Sequence, residues 1–172
     1  MLRLIAKLLR VLNSETDPSQ ISLGFCLAMV AGFTPLLSLH NVLILLLVLV
    51  VRVNLLAFLL GLGVFSGLAY LFDPLFHWNG LQILRTTSLE GVWTSFYNST
   101  LWRLERFNNT IVMGSLVFSL IIFVPVWLLF NMLIRRYRTH ILAWVEKTRL
   151  MQVFKASKLY HVYASLSHLG GA

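Results

Sequence analysis

The sequence predicts an all-α integral membrane protein, and three observations carry that prediction. Hydrophobic residues make up 58% of the 172 residues and charged residues 12%, with a mean hydropathy of +0.81. One run, residues 110–134, has 25 residues and no charge. The basic residues flank the apolar runs and form no separate stripe. This sequence has too few polar residues to cover the apolar side chains that a soluble fold of its length would have to bury. A bilayer is therefore the expected environment.

The first 16 residues predict an amphipathic helix that lies in the membrane interface. Apolar side chains recur at helical spacing on one face, and basic side chains fall on another. The apolar set is Leu2, Ile5, Leu9 and Leu12, and the basic set, which we expect to contact lipid headgroups, is Arg3, Lys7 and Arg10. A short helix that docks on the rest of the protein fits the same pattern, so both interpretations stay open.

Residues 18–51 predict two short apolar helices with a break between them. Asp17 can cap a helix that begins at Pro18, because proline suits the first helical position. Thr34-Pro35 ends that helix, since proline disfavours helical geometry in the residue before it. About 13 and about 16 apolar residues on the two sides of the break are short for the roughly 30 Å hydrocarbon core. These lengths favour a re-entrant hairpin, and a kinked span followed by a second full span is the alternative.

Two further spans complete the predicted membrane domain, residues 17–134. The first covers residues 55–72 and ends at Asp73-Pro74, and the second covers residues 110–134. Residues 73–109 between them are rich in Trp, Tyr and Phe, which favour the headgroup level. Their helical spacing predicts a second interfacial helix within this aromatic segment.

Small residues predict where these helices approach one another closely. Gly24, Ala28 and Gly32 stand four residues apart in the first helix. Such a stripe lets another helix backbone come close inside a bilayer. In the span that follows, Gly61, Gly63 and Gly67 offer the same opportunity.

The charge distribution predicts which side of the membrane each end faces. The N-terminal segment, Arg52 and a basic tail at residues 135–172 hold eleven of the 14 Lys and Arg residues. The aromatic segment holds the other three, and its three acidic residues cancel them. Because positive residues stay cytoplasmic, both termini are predicted inside and the aromatic segment in the periplasm, with either two or four crossings. In the tail we expect headgroup contacts from Arg135, Arg136 and Arg138.

Polar residues near the Thr34-Pro35 break form the candidate functional cluster. A break at membrane depth leaves N–H and C=O groups that lipid cannot satisfy, and in transporters such helix ends face cavities. The cluster comprises Thr34, Ser38, His40 and Asn41, with Arg52 and Asn54 framing the cytoplasmic mouth. The alternative is that these side chains only satisfy the break and pack the hairpin.

No pattern typical of an enzyme is found in the sequence. In the aromatic segment, the candidates for acid–base chemistry are Asp73, His77 and Glu90. A helix end with a turn explains Asp73-Pro74 more simply. The spacings of metal ligands, phosphate loops and nucleotide-binding glycines are absent from the sequence. We therefore expect no catalytic residue, no cofactor and no metal. The basic residues that give the net charge of +8 flank the apolar runs. This position favours anionic lipid over nucleic acid as their binding partner.

Several polar segments together carry a family resemblance. They are Asp17-Pro-Ser-Gln-Ile-Ser-Leu-Gly-Phe25, Gly32-Phe-Thr-Pro35, Ser38-Leu-His-Asn41, Arg52-Val-Asn54, Asp73-Pro74, Arg106-Phe-Asn-Asn-Thr110 and Lys155-Ala-Ser-Lys-Leu-Tyr160. The first five resemble the bacterial inner-membrane proteins of the domain of unknown function 2062 family, and the last two resemble a proteobacterial branch of it. The likeness covers about Asp17 to Tyr160. It implies a bacterial inner membrane but no activity, so no catalytic residue is carried over.

Three functions stay open at this point. The first is a non-enzymatic scaffold or accessory subunit of an envelope assembly that handles lipid, with membrane lipids and a protein partner or second copy as its partners. The second is a small transporter, flippase or channel built on the broken-helix hairpin. The third is a membrane enzyme acting on lipid headgroups, which needs Asp73, His77 and Glu90 in one pocket.

Overall fold

The structure is a computed structural model that describes Val11 and residues 16–142 of the chain. Within residues 16–142 the regular secondary structure is all helical, with no strand. In chain order the elements are α1 (Pro18–Phe33), α2 (Leu39–Val50), α3 (Leu55–Leu84), a 3-10 turn (Thr87–Leu89), α4 (Glu90–Asn98), α5 (Thr100–Leu104), α6 (Thr110–Arg136) and a π-helical segment (Tyr137–Leu142). The predicted N-terminal interfacial helix and the predicted tail from residue 143 lie outside the described residues.

The chain forms two units, residues 1–132 and residues 133–172. The described part of the second unit contains the end of α6 and the π-helical segment, in which the Thr139 hydroxyl donates to the Arg135 carbonyl oxygen at 3.0 Å.

The helix α1 begins and ends where the sequence predicts. The Asp17 side chain accepts a hydrogen bond from the Ser19 N–H at 2.9 Å, and Pro18 occupies the first helical position. The helix ends at Phe33, because the residue before Pro35 is held in extended geometry. With 16 residues, α1 is about 24 Å long.

The helices α1 and α3 start at a common base and run parallel. The Asn54 N–H donates to the Gln20 carbonyl oxygen at 3.3 Å, which joins the start of α3 to the first turn of α1. Asn54 also caps α3, since its Oδ1 accepts from the Ala57 N–H at 2.8 Å. The two helices therefore leave the same point in the same direction.

The predicted stripe of small residues is the surface on which α1 meets α3. A Cβ atom added at Gly24 would lie 2.9 Å from a backbone carbonyl oxygen at the start of α3, and one at Gly32 would lie 2.8 Å from the Phe65 Cβ. A Cβ atom at Gly61 would lie 2.8 Å from the Ala28 Cβ. Side chains larger than these cannot fit without moving the backbones apart, so the stripe sets the separation of the two helices.

The helix α2 returns antiparallel to α1. Buried apolar residues of both helices share one cluster, which includes Val30 and Ala31 of α1 with Ile44 and Val48 of α2. The helix begins at Leu39 and not at the start of the apolar run, because residues 34–38 form the turn. It has 12 residues and is about 18 Å long. Its other face is exposed and almost wholly apolar, with large side chains at Val42, Leu43, Leu45, Leu46, Leu47, Leu49 and Val50.

The helix α3 is longer than the sequence predicts. The sequence predicts an end at Asp73-Pro74, but the helix continues through Pro74 to Leu84. Proline inside a helix removes one hydrogen bond, and tertiary packing offsets that loss here. Phe76, two residues beyond the proline, is fully buried and packs at tilted angles against Phe33 and Phe118, with ring centroids 5.2 Å and 5.6 Å apart. The aromatic segment therefore begins with 12 residues of α3.

The aromatic segment contains two short helices where the sequence predicts one. The chain is extended at Ser99, between α4 and α5. This break lets the Phe96 and Trp102 rings stack with centroids 4.1 Å apart and an interplanar angle of 5°. A single helix would place these rings on separate turns, so aromatic packing explains the break.

Two helices in the described residues are long and apolar enough to cross a membrane, α3 and the helix that starts at Thr110. Only 17% and 11% of their most apolar windows are buried in the protein, whereas the core helix of a soluble protein is mostly buried. The helix α6 runs antiparallel to α3, because Phe118 contacts Phe76 near the end of α1, while Phe130 contacts Phe25 in the middle of α1.

Candidate functional site

The turn between α1 and α2 is closed by two buried polar side chains, Thr34 and Asn41, which are each 3% exposed. The Thr34 hydroxyl lies 2.9 Å from the Val30 carbonyl oxygen and 3.2 Å from Asn41 Oδ1. The Asn41 amide donates to the Pro35 carbonyl oxygen at 2.9 Å and lies 3.3 Å from the Ala31 one. These carbonyls belong to the end of α1 and the turn, where no helical N–H reaches them. The two side chains thus satisfy the helix break from within the protein.

Beside this turn, His40 at the start of α2 pairs with Glu105 at the end of α5. The ring Nδ1 contacts Glu105 Oε1, and the His40 backbone N–H donates to Oε2 at 3.2 Å. On the other side of the ring, Nε2 lies 3.0 Å from Ser38 Oγ. The His40 and Glu105 side chains are 13% and 8% exposed. An ionisable pair shielded in this way among apolar helices marks a functional candidate.

Glu105 reaches His40 because the chain turns sharply after α5. Arg106 has a φ of 55°, the one positive value at a non-glycine residue in the part of the chain described. This left-handed geometry ends many helices and costs roughly 1–2 kcal/mol for a residue with a Cβ atom. Asn109 then caps α6, its Oδ1 accepting from the Ile111 N–H at 2.9 Å. The turn therefore places the carboxylate and starts the next helix within five residues.

The His40–Glu105 pair lines an apolar groove of about 470 Å³. The other lining residues are Val30, Leu39, Leu43, Ile44, Leu47, Leu101, Trp102, Leu116 and Leu120. The volume lies in the usual range of ligand sites, and walls this apolar suit a hydrocarbon chain better than a polar solute. Leu43, Leu101 and Leu120 are each more than half exposed, so the groove opens on the outer surface of the helices.

A second, more polar cavity of about 700 Å³ lies between the turn and α3. Thr34 lines it from the turn, and Ser66, Tyr70 and Asp73 line it from α3. Tyr70 is 80% exposed, so this cavity is open to the surroundings. Core packing by Met29, Phe33 and Phe76 fills the space beneath the turn.

Arg52 and Asn54 of the predicted cluster lie at the other end of the hairpin. The 12 residues of α2 separate them from His40 by about 18 Å. Both polar atoms of the Asn54 side chain make structural hydrogen bonds, since its Nδ2 donates to Thr16 Oγ1 at 3.2 Å and its Oδ1 caps α3. Arg52 is exposed. The six predicted residues thus form a group at the turn, Thr34, Ser38, His40 and Asn41, and a separate group at the base.

Two of the three residues considered for acid–base chemistry, Asp73 and His77, stand one helical turn apart on α3, and Glu90 begins α4. Asp73 lines the cavity at the turn, whereas Glu90 lines a third cavity beside α4. His77 is bound to α6, its Nδ1 lying 2.7 Å from Thr110 Oγ1. In the described residues no three His, Cys, Asp or Glu side chains meet as metal ligands would.

The predicted headgroup contacts are described in part. Arg135 and Arg136 end α6 and are exposed, and Arg138 follows in the π-helical segment and is half-buried. Arg3, Lys7 and Arg10 lie outside the described residues. Contact with lipid stays a prediction for all six.

Sequence reasoning missed Glu105 as a site residue. The sequence shows it only as one of the charges of the aromatic segment, whereas in the described residues it is the buried acidic residue. One signal could have revealed it. Leu101 and Glu105 stand four residues apart and so share a helix face, and an acid on an apolar face requires a polar partner. The identity of that partner, 65 residues earlier, follows only from the fold.

Comparison with known proteins agrees with the family resemblance. Residues 2–142 match the bacterial family described as "Uncharacterized protein conserved in bacteria (DUF2062)". A protein of Treponema pallidum (strain Nichols), described as "Uncharacterized protein", is 28% identical over 141 residues, which cover 82% of this chain and 87% of the relative. No solved structure matches the chain. The match ends before the Lys155–Tyr160 segment, so the proteobacterial branch stays a prediction. Since the match covers most of its length, the chain belongs to the bacterial domain of unknown function 2062 family.

Proposed function

We propose that this protein is a non-enzymatic, lipid-handling accessory subunit of an assembly in the bacterial inner membrane, and that it holds a lipid chain in the groove beside His40 and Glu105. The observation that carries the proposal is the groove itself, whose wall is apolar apart from this shielded pair. Glu90 lines a different cavity from Asp73, which supports a role without lipid-headgroup chemistry by Asp73, His77 and Glu90 together.

In this proposal α3 and α6 cross the bilayer, and the α1–α2 hairpin re-enters it from the cytoplasmic side. At about 24 Å and about 18 Å, α1 and α2 are short for a hydrocarbon core of roughly 30 Å. Thr34 and Asn41 supply the internal hydrogen bonds that a turn at membrane depth requires. The distribution of basic residues supports cytoplasmic termini.

The turn favours a lipid-holding subunit over a transporter. A transport route through the hairpin needs an open path at the broken helix ends. The cavity of about 700 Å³ that Thr34 lines opens to the surroundings, as a transport route requires. Against such a route, Thr34 and Asn41 hydrogen-bond the broken helix ends, and Phe33 and Phe76 pack beneath them. The outer leucine face of α2 offers a surface for a protein partner or a second copy in the membrane.

The groove is tested by filling it. Leu47→Trp places a large ring in the groove wall, whereas Leu49→Trp, on the same helix but not in the wall, is the matched control. Both residues are exposed, so neither change disturbs the core. Native mass spectrometry after extraction in mild detergent counts the lipids retained. We expect Leu47→Trp to lose a lipid that the wild type and Leu49→Trp keep; equal retention in all three would contradict the proposal.

The membrane placement is tested by cysteine labelling. The chain's one cysteine, Cys26, is buried and can be replaced by alanine to give a clean background. A re-entrant turn keeps Leu37→Cys from reacting with a membrane-impermeant maleimide on either side. Ser95→Cys, at an exposed position of α4, should react from the periplasm, and Arg52→Cys should react only after access to the cytoplasm. Labelling of Leu37→Cys from the periplasm would instead indicate two full spans.

The subunit role is tested by co-purification in mild detergent. We expect a partner or a second copy in fixed stoichiometry with the protein. Leu46→Ser and Leu49→Ser on the outer face of α2 should weaken this association. Recovery of a lone monomer in several gentle detergents would argue against the accessory role while leaving lipid retention to be judged on its own.

An acyl-transfer enzyme is the second candidate, and one specific observation favours it. Ser38 Oγ, the His40 ring and Glu105 stand in the order of a serine–histidine–acid triad beside a groove suited to an acyl chain. In such a reaction His40 Nε2 would take the Ser38 proton as Oγ attacks an ester carbonyl, and would return it to the leaving alcohol. A fluorophosphonate probe that labels the wild type but not Ser38→Ala would establish this candidate. Our proposal predicts no labelling, and lipid retention that survives Ser38→Ala.

A further inference from the structure

A cavity of about 440 Å³ lies beside α4, in the aromatic segment and away from the groove. Its wall includes Glu90, Trp93, Thr94 and Tyr97, which stand at positions i, i+3, i+4 and i+7 and so share one face of α4. Phe107 lines it from the turn before α6. This cavity and the groove have no lining residue in common.

The aromatic wall of this cavity is held in place by packing. Trp93 stacks on Phe107 with ring centroids 6.2 Å apart and an interplanar angle of 25°. Phe96 meets both rings edge to face, at 5.9 Å and 5.7 Å. Phe107 is 5% exposed, and the Trp93 Nε1 is buried with no hydrogen-bond partner in the part of the chain described. The indole is therefore positioned by its neighbours and not by its N–H.

Aromatic faces beside a carboxylate have a defined chemical preference. The face of an aromatic ring carries a negative potential that attracts cations, most strongly for tryptophan. Glu90 adds a full negative charge on the same helix face, and no Lys or Arg is among the lining residues. The charge and the rings of this wall disfavour anions and favour an ammonium group.

We propose that this cavity binds an organic ammonium group, with the Trp93 and Tyr97 rings on its apolar sides and Glu90 as the counter-ion. The group can belong to the headgroup of a zwitterionic phospholipid or to a free amine, since both present the same cation. The inference does not depend on the function proposed for the groove, because it uses none of the groove's residues.

The test uses the full chain in nanodiscs of phosphatidylglycerol, a lipid without an ammonium group. The probe is choline, and its neutral analogue 3,3-dimethylbutanol has the same shape without the charge. Saturation-transfer NMR of the probe's methyl protons reports binding. We expect choline to bind and the neutral analogue not to compete. Glu90→Gln, at an exposed position, and Trp93→Leu should each weaken choline binding about 2- to 5-fold or more.

Trp78→Leu is the matched control, because Trp78 is 58% exposed on α3 and does not line the cavity. It should leave choline binding unchanged. Repeating the titration in phosphatidylethanolamine nanodiscs separates the two sources of the cation. Loss of choline binding there identifies a lipid headgroup as the occupant, and unchanged binding identifies a free amine.

Three results would overturn the inference. One is the absence of choline binding in phosphatidylglycerol nanodiscs. Another is equal competition by 3,3-dimethylbutanol, which would show an apolar cavity without preference for charge. The third is choline binding that neither Glu90→Gln nor Trp93→Leu weakens, since Glu90→Gln tests the site even where Trp93→Leu fails to fold.

Discussion

Gly80 of α3 and Gly114 of α6 face each other at the point where the two helices cross. A Cβ atom added at Gly80 would lie 2.9 Å from the Gly114 nitrogen, and one at Gly114 would lie 2.8 Å from the Gly80 nitrogen. Each would also overlap a carbonyl oxygen of the opposite helix, that of Thr110 or of Phe76. Backbone contact of this kind is available only to glycine, and it positions the start of α6.

This crossing predicts that Gly80→Ala is destabilising. The added methyl group must push the backbones of α3 and α6 apart, and overpacking of this kind costs roughly 1–3 kcal/mol. Thermal unfolding in detergent measures the effect. Gly63→Ala is the control, because a Cβ atom there meets nothing within 4 Å and alanine favours a helix by about 0.5–1 kcal/mol. Equal stability of the two variants would contradict the close crossing.

The hydrogen bonds at the turn predict that the stability of the protein depends strongly on the side-chain amide of Asn41. Asn41→Leu removes the donor for the Pro35 and Ala31 carbonyls and leaves them buried without it, at a cost of about 1–3 kcal/mol. Unfolding in increasing concentrations of a denaturing detergent measures this loss. Gln82→Leu, an exposed change of similar chemistry on α3, should have little effect. The turn would need another explanation if the two variants unfolded alike.

The pairing of His40 and Glu105 predicts coupling between the two positions. Glu105→Leu leaves the shielded imidazole without its carboxylate and should destabilise the protein by about 1–3 kcal/mol. His40→Phe combined with Glu105→Leu should recover part of that loss, since both polar partners are then absent. A double-mutant cycle of unfolding free energies measures the coupling. Strict additivity would show that the contact contributes nothing.

The contacts at the common base of α1 and α3 predict that substitutions of Asn54 destabilise the protein to different degrees. Asn54→Ala removes the cap of α3 and the bond to Thr16, and should cost about 1 kcal/mol. Asn54→Asp keeps an acceptor for the Ala57 N–H and should cost less. Thermal unfolding ranks the variants against wild type. An aspartate variant as unstable as the alanine one would assign the main role to the Thr16 contact.

Local rules predicted the elements whose ends depend on nearby residues. Asp17, Pro18 and Pro35 determine where α1 begins and ends, and their effects reach only a few residues. The Gly24–Ala28–Gly32 stripe was also predictable from the sequence, because small residues at this spacing on an apolar helix favour close packing against another helix.

Other features depended on contacts that the sequence does not display. Pro74 reads as a helix end, yet the burial of Phe76 against α1 and α6 keeps the helix intact. The break at Ser99 follows from the stacking of Phe96 on Trp102. Of the candidate site, the residues at the turn were predicted, whereas Glu105 was not, because its partner His40 lies 65 residues away.

That separation has a consequence for biosynthesis. The α1–α2 hairpin leaves the ribosome well before the segment that carries Glu105, and synthesis proceeds at roughly 5–20 residues per second, so His40 waits about 3–13 s for its carboxylate. During this interval the hairpin has its own hydrogen bonds at Thr34 and Asn41, and the His40 ring has its contact with Ser38 but not yet its carboxylate. The nascent chain therefore passes through a stage in which the groove is incomplete. The groove wall is completed only when α5 and α6 have been synthesised and have packed against the hairpin.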